Sequence, residues 1–282
     1  MATPTVATPT KAPGFLFASM RVFDLSVGEM LWSRRTIFMA LVVGVPVLLA
    51  LLVRGADALG APGMRVNNTA INGPAIFGLM IWAFYLRFSI PVLGAFYGTS
   101  LIADEVEDKT VTYLFTRPVS RGAVLFGKFL AYILCTMIVV LPSVSVVWVL
   151  VTPMGGSLGQ NFPDLIKDLL ILAGGLIAYG ALFAFVGATF KRPLLISLVF
   201  VFGFEPAVLV FPGYLKKLTL AYYIQGLVPQ AMPNDSVVSL VQQIFRETPA
   251  LSTAIVALSV ITVVCLWLAA RTVTNKEYVL EQ

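Results

Sequence analysis

The stretch Thr36–Val53, TIFMALVVGVPVLLALLV, contains no charged residue. As an α-helix it would be about 27 Å long, close to the ~30 Å hydrocarbon core of a bilayer. The rest of the chain has the same character, since 59% of its 282 residues are hydrophobic and only 12% are charged. A soluble domain carries about 25% charged residues, so its surface could not be built from this composition. The sequence therefore predicts an all-α, polytopic membrane protein.

Six apolar runs are long enough to be transmembrane helices. They are residues 36–53, 74–103, 123–151, 169–190, 194–211 and 251–270. Ahead of them, Phe15–Ser33 has apolar side chains on one helical face, which predicts an amphipathic helix lying in the membrane interface. Residues 1–14 are rich in Ala, Thr and Pro and are predicted to be a disordered tail. Residues 15–282 are expected to form a single transmembrane domain.

Lys and Arg residues beside the predicted spans are unequally divided between the two sides of the membrane. Twelve fall on the side that holds the termini and residues 104–128, and six fall on the other side. The positive-inside rule therefore places both termini and residues 104–128 in the cytoplasm. The net charge of +5 is scattered in ones and twos along these edges, which suits anionic lipid headgroups and argues against nucleic-acid binding.

The residue types that support catalysis are scarce. The chain has no histidine, and its two cysteines, Cys135 and Cys265, lie inside apolar runs, so they provide no disulfide framework and no metal-ligand spacing. Gly122–Lys128 matches the first seven positions of a P-loop, but Phe129 stands where a Mg²⁺-binding Ser or Thr is required. We expect no catalytic site, no metal site and no bound cofactor in this chain.

The segment between the second and third predicted spans is longer and more charged than a simple connection requires. It opens with four acids in five residues, Asp104 to Asp108, continues through an amphipathic stretch, Thr110–Thr116, and ends at Lys128. A surface of mixed charge and amphipathic character suits the docking of another protein. The alternative is a solvated turn at the membrane edge, in which the Arg residues anchor to headgroups.

This segment resembles the first cytoplasmic loop in the membrane subunits of ABC exporters of the second type, which export drugs, polysaccharides and antibiotics. That loop has an acidic pair, Gly-Thr, a leucine-rich turn, Pro-Val-Ser-Arg and then Gly-Lys. The matching residues here are Glu105, Glu107, Thr110, Leu114, Thr116, Pro118, Val119, Ser120, Arg121, Gly127 and Lys128. Lys109 departs from the pattern, because the family most often has Gly there. The resemblance also covers the amphipathic helix at Phe15–Ser33, the six spans and the long last external loop.

The resemblance implies a coupling helix that docks in a groove on a separate ATPase subunit, which would hold the ATP and the Mg²⁺. The expected coupling residues are Glu105, Glu107, Lys109, Thr110, Leu114, Arg117, Pro118, Arg121 and Lys128. It also implies a bacterial or archaeal plasma membrane, and a second permease copy or a paralogue, because six spans are half a transporter. The alternative function is an ion-gradient-driven secondary transporter, although such proteins often contain internal repeats and none is evident here.

Arg87 and Glu205 are the two ionisable residues that fall deep within predicted spans. Charged side chains are costly there and usually face the bundle interior or a cavity. Counted by helical rise, their depths differ by about 7 Å, which long side chains can bridge. They are predicted to form a pair or to line the transport path. The alternative is that each caps a broken helix, near Pro91 or near Pro206.

Overall fold

The fold is a bundle of long apolar helices. The computed structural model describes residues 14–32, 34–60, 65–66, 69–70, 72–107, 120–210, 214–228 and 249–275. Within them, five helices are long and apolar enough to cross a membrane. They are Thr36–Ala58, Gly73–Ala103, Arg121–Val151 and Leu158–Thr189, here called spans 1 to 4, and Leu251–Asn275, called the last span. The strands Arg65–Val66 and Thr69–Ala70 form a small antiparallel hairpin between spans 1 and 2.

The fifth predicted run, 194–211, is a shorter apolar helix, Pro193–Val208, here called the short helix. The helix contains a π-helical turn, Phe200–Phe204, and ordinary α-helix continues from Glu205 to Val210. Helical residues 193–210 are thus about 27 Å long, slightly less than the ~30 Å of a bilayer core. Five of the six predicted spans correspond to long apolar helices, and a count of six full spans is not confirmed.

The chain returns toward the bundle after the short helix. A 3-10 turn, Tyr214–Leu218, leads into a helix of six residues, Leu220–Gln225. Together they are called the return segment. Its helix packs against spans 2 and 4 and against the last span. Span 2 is itself irregular, with π-helical stretches at Ile81–Ser89 and Gly94–Gly98.

Helix ends extend beyond the predicted apolar runs in spans 1 and 4. The helix of span 1 continues to Ala58, where Arg54 and Asp57 form an ion pair of 3.4 Å. Span 4 begins at Leu158 instead of Leu169, and its added turns carry the Asp164–Lys167 ion pair of 3.0 Å. Ion pairs at i,i+3 spacing stabilise an exposed helix. Hydropathy marks the part of a helix that fits the bilayer core, so it misses these polar turns.

The amphipathic helix predicted over Phe15–Ser33 is present as Phe15–Leu31, here called the lead-in helix. It packs along the start of span 3, and its small residues Ala18, Ser19 and Ser26 are buried. The large side chains of Leu16 and Leu25 are 73% and 70% exposed. An exposed apolar face is what a helix in the membrane interface presents to lipid. Its location in that interface remains a prediction.

Small residues bring spans 2, 3 and 4 into close contact. A Cβ added at Gly94 of span 2 would lie 2.8 Å from the Cβ of Tyr179 in span 4. A Cβ at Gly180 would collide with the ring of Tyr132 in span 3, whose hydroxyl donates a hydrogen bond to the Leu176 carbonyl at 2.9 Å. Glycines at such contacts let membrane helices approach closely. The core of the bundle lies here.

Three predicted segments lie outside the described residues. They are residues 1–13 of the predicted tail, residues 108–119 of the segment between spans 2 and 3, and residues 236–245 of the predicted last external loop. The coupling helix and the disordered tail therefore remain predictions.

Candidate functional site

Arg87 and Glu205 line one cavity inside the bundle. Its volume is 190 Å³, and its walls come from span 2, span 4, the short helix and the return segment. The lining residues are Leu86, Arg87, Phe88, Pro91, Tyr179, Val201, Phe202, Glu205, Pro206 and Ala221. Both charged residues singled out from the sequence thus line the same cavity.

Glu205 is buried, with 4% of the residue exposed, and its carboxylate is held by hydrogen bonds from two other elements. The Tyr179 hydroxyl of span 4 donates to it and lies 2.7 Å from both carboxylate oxygens. The Ala221 N–H donates to Oε1 at 2.9 Å. Ala221 lies in the first turn of the return-segment helix, where backbone N–H groups lack intrahelical acceptors. Burying a carboxylate without such donors would be costly, so these bonds fix the short helix against span 4 and the return segment.

Arg87 is half-buried and approaches the cavity from span 2. Its guanidinium carbon lies 5.8 Å from the centre of the Trp82 ring, a cation–π distance. The hydrogen bonds described for Glu205 come from Tyr179 and Ala221. The two charged side chains line one cavity, and an ion pair between Arg87 and Glu205 stays a prediction.

Two of the helices that line the cavity contain a π-helical stretch beside it. Arg87 and Phe88 belong to Ile81–Ser89, and Val201 and Phe202 belong to Phe200–Phe204. The rings of Phe88 and Phe202 lie 6.2 Å apart between these helices. A π-helical turn redirects the side chains that follow it and is frequent at functional sites. The cavity therefore lies where both helices depart from regular geometry.

Sequence reasoning missed Tyr179 and Ala221 as members of this site. A signal for Tyr179 was available, because a tyrosine hydroxyl deep in an apolar span needs a hydrogen-bond partner, and so does a buried acid. Ala221 gave no such signal. It contributes only its backbone N–H, and its place beside Glu205 depends on the path of the return segment.

The residues at the C-terminal end of the predicted coupling segment belong to span 3. Gly122–Lys128 has helical backbone within Arg121–Val151, so these residues do not form the loop that a P-loop requires. A Cβ added at Gly127 would collide with the Ser19 carbonyl and crowd the Val22 side chain of the lead-in helix. Lys128 is buried. The glycine of this motif therefore serves helix packing.

Arg121 joins span 3 to the last span. Its Nη1 donates to the carbonyls of Val273 and Thr274, each at 3.3 Å. Both carbonyls belong to the final turn of Leu251–Asn275. A cation at the C-terminal end of a helix interacts favourably with the unpaired carbonyls and the helix dipole. Arg121 thus caps the last span.

The other predicted coupling residues are located only in part. Glu105 and Glu107 fall at the end of the helix Thr99–Glu107. Lys109, Thr110, Leu114, Arg117 and Pro118 lie outside the described residues. The described structure therefore places the two ends of the segment, and the docking role of all these residues stays a prediction.

Comparisons with known proteins identify the family. A search of curated proteins finds no match to this sequence. The family model described as ABC-2 family transporter protein matches residues 29–277. The match covers nearly the whole chain, including all five long spans, the cavity residues and the segment between spans 2 and 3. The chain therefore belongs to the ABC-2 family of membrane transport proteins.

Proposed function

We propose that this chain is the permease subunit of an ABC exporter. It forms the translocation path and docks a separate ATPase subunit through residues 104–128. Two copies, or one copy and a paralogue, enclose the path, and both termini lie in the cytoplasm. ATP and Mg²⁺ bind in the partner subunit. Family membership supports a transport role, and the uneven distribution of Lys and Arg supports the orientation.

The observation that carries this proposal is the firm attachment of both ends of residues 104–128. On the C-terminal side, Arg121 holds the last span and Gly127 contacts the lead-in helix. On the N-terminal side, a Cβ at Gly187 of span 4 would collide with the backbone of Thr99. Close contacts of this kind transmit a displacement from one helix to the next, because closely packed groups compress little. A push on the segment would thus reach spans 2, 3 and 4 and the last span.

Purification in a mild detergent from native membranes tests the docking. We expect a soluble ATPase with a complete P-loop to copurify with the chain. Reversing a predicted contact by Arg117→Glu should weaken that association about thirtyfold or more, because loss of a buried charge contact at an interface costs about 2 kcal/mol or more. The matched control is Arg54→Glu, a charge reversal at the end of span 1 where Arg54 is exposed and paired with Asp57.

Two results would overturn the proposal. One is equal retention of the ATPase by Arg117→Glu and Arg54→Glu. The other is transport by the chain reconstituted alone with only an ion gradient, which would instead establish the secondary transporter.

A further inference from the structure

A second cavity lies beside the return segment. It is a groove of 750 Å³ between the return segment and the first turns of the last span, with Leu182 of span 4 and Phe200 of the short helix also in its lining. We propose that this groove binds one anionic phospholipid, whose acyl chain lies in the groove and whose headgroup is attracted by Lys217. The volume is within the ~300–1,000 Å³ typical of ligand pockets. This inference does not depend on the proposed ATPase coupling.

The groove has the length of one leaflet. Along the last span its lining runs from Ser252 to Ile261, about 13 Å of helix. Half of a bilayer core is about 15 Å. A ligand that fills the groove along this helix therefore has the reach of a lipid in a single leaflet.

The polarity of the groove changes along the last span in the same way as that of a lipid. Ser252 and Thr253 line it in the first turn, and Val256, Val260 and Ile261 line it farther along the helix. Val256 and Val260 are 61% and 54% exposed, so this wall remains open at the surface of the bundle. In a membrane that surface meets acyl chains, which can enter the groove from the side.

A positive charge selects the headgroup. Lys217 is exposed and contributes to the lining, as do Leu218 and Tyr223 of the same segment. A Lys near the membrane surface favours an anionic lipid about fivefold. Phosphatidylglycerol is therefore preferred over phosphatidylcholine.

The return segment walls the groove with short elements. They are the 3-10 turn Tyr214–Leu218 and the six-residue helix Leu220–Gln225. A lipid in the groove completes the packing of the last span.

Native mass spectrometry of the full chain in detergent tests the proposal, with phosphatidylglycerol as the probe. We expect the unsubstituted chain to keep one phosphatidylglycerol per protomer after washing. Ala257→Trp fills the groove and should lower the retained lipid at least tenfold. Val263→Trp is the matched control, because Val263 lies on the same helix, is 65% exposed and does not line the groove. Lys217→Gln should lower the preference for phosphatidylglycerol over phosphatidylcholine about fivefold.

Three results would overturn it. The first is equal lipid retention by Ala257→Trp and Val263→Trp, and the second is no retained lipid in the unsubstituted chain. The third is a disulfide cross-link between Thr253→Cys and a cysteine placed in residues 236–245 that forms equally with and without lipid. That cross-link would mean that the chain itself occupies the groove.

Discussion

The Tyr179 hydroxyl donates to the Glu205 carboxylate with both side chains buried, at 2.7 Å from each oxygen. The bond joins the middle of span 4 to the point where the short helix leaves its π-helical turn. Glu205 also accepts from the Ala221 N–H, so one carboxylate holds three elements together.

Tyr179→Phe should lower the free energy of unfolding by about 1.5–3 kcal/mol, because it removes a hydrogen bond to a charged group. Tyr132→Phe is the control. It removes a buried hydrogen bond to a neutral carbonyl, that of Leu176, and should cost about 0.5–1.5 kcal/mol. Thermal unfolding in detergent measures both. Equal losses would show that Glu205 is not ionised or that its bond to Tyr179 is weak.

Arg87→Ala and Glu205→Gln should each lower transport about tenfold or more if the cavity lies on the transport path or changes shape during transport. Both substitutions remove a charge that is costly to keep within a span. Copurification of the ATPase should be unchanged, since about 25 Å of helix separates Arg87 from Asp104. Transport in reconstituted vesicles is the measurement.

The control for Arg87 is Arg271→Ala. Arg271 also stacks on a tryptophan, with its guanidinium carbon 5.2 Å from the Trp267 ring centre, but it does not line the cavity. Intact transport and assembly in both Arg87→Ala and Glu205→Gln would remove the pairing and the path-lining hypotheses together.

Gly180→Ala should lower the free energy of unfolding by about 1–3 kcal/mol, because the added methyl group would collide with the Tyr132 ring. Gly174→Ala on the same helix has no neighbour within 4 Å of its new Cβ and should be neutral or slightly stabilising. The melting temperatures of the two variants provide the comparison. A melting temperature of Gly180→Ala no lower than that of Gly174→Ala would refute the close packing of spans 3 and 4.

Gly127→Ala should separate the lead-in helix from span 3, because its Cβ would meet the Ser19 carbonyl. Under the proposed function this lowers the transport achieved per ATP hydrolysed, with the ATPase still bound. Gly122→Ala is matched to it, since that Cβ would have only an ordinary contact of 3.8 Å with the Phe15 ring. Coupled transport and ATP hydrolysis are measured in the same vesicles. A similar coupling ratio in both variants would mean that the lead-in helix takes no part.

The sequence predicted helices well where hydrophobicity and helix coincide. Five of the six runs correspond to long helices. It was less accurate where a helix extends beyond the hydrophobic run, as in the polar turns at Leu158 to Asp168 of span 4. The count of six full spans is not confirmed, since the fifth run corresponds to a shorter apolar helix, Pro193–Val208. The path of the return segment after it depends on contacts with spans 2 and 4 and the last span, and hydropathy does not report these.

The charged residues of the candidate site were predictable from the sequence, but the hydrogen-bond donors to Glu205 were not. Arg87 and Glu205 stood out because a charge within a span is expensive. Tyr179 is 26 residues from Glu205 in sequence, and Ala221 contributes only backbone. The π-helical turns that aim Arg87 and Phe202 into the cavity have no sequence signature that we recognise.

The run Thr36–Val53 and its counterparts by themselves determined that this is a helical membrane protein, because a helix satisfies its own backbone in lipid and an uninterrupted apolar run of this length lacks the alternation of a barrel strand. The resemblance of residues 104–128 likewise required only the order of residues. Tertiary structure alone decided that Arg87, Tyr179 and Glu205 share a cavity and that Arg121 caps the last span. The reason is physical. A hydropathy run depends on neighbours in sequence, whereas a cavity depends on the packing of helices that are far apart in the chain.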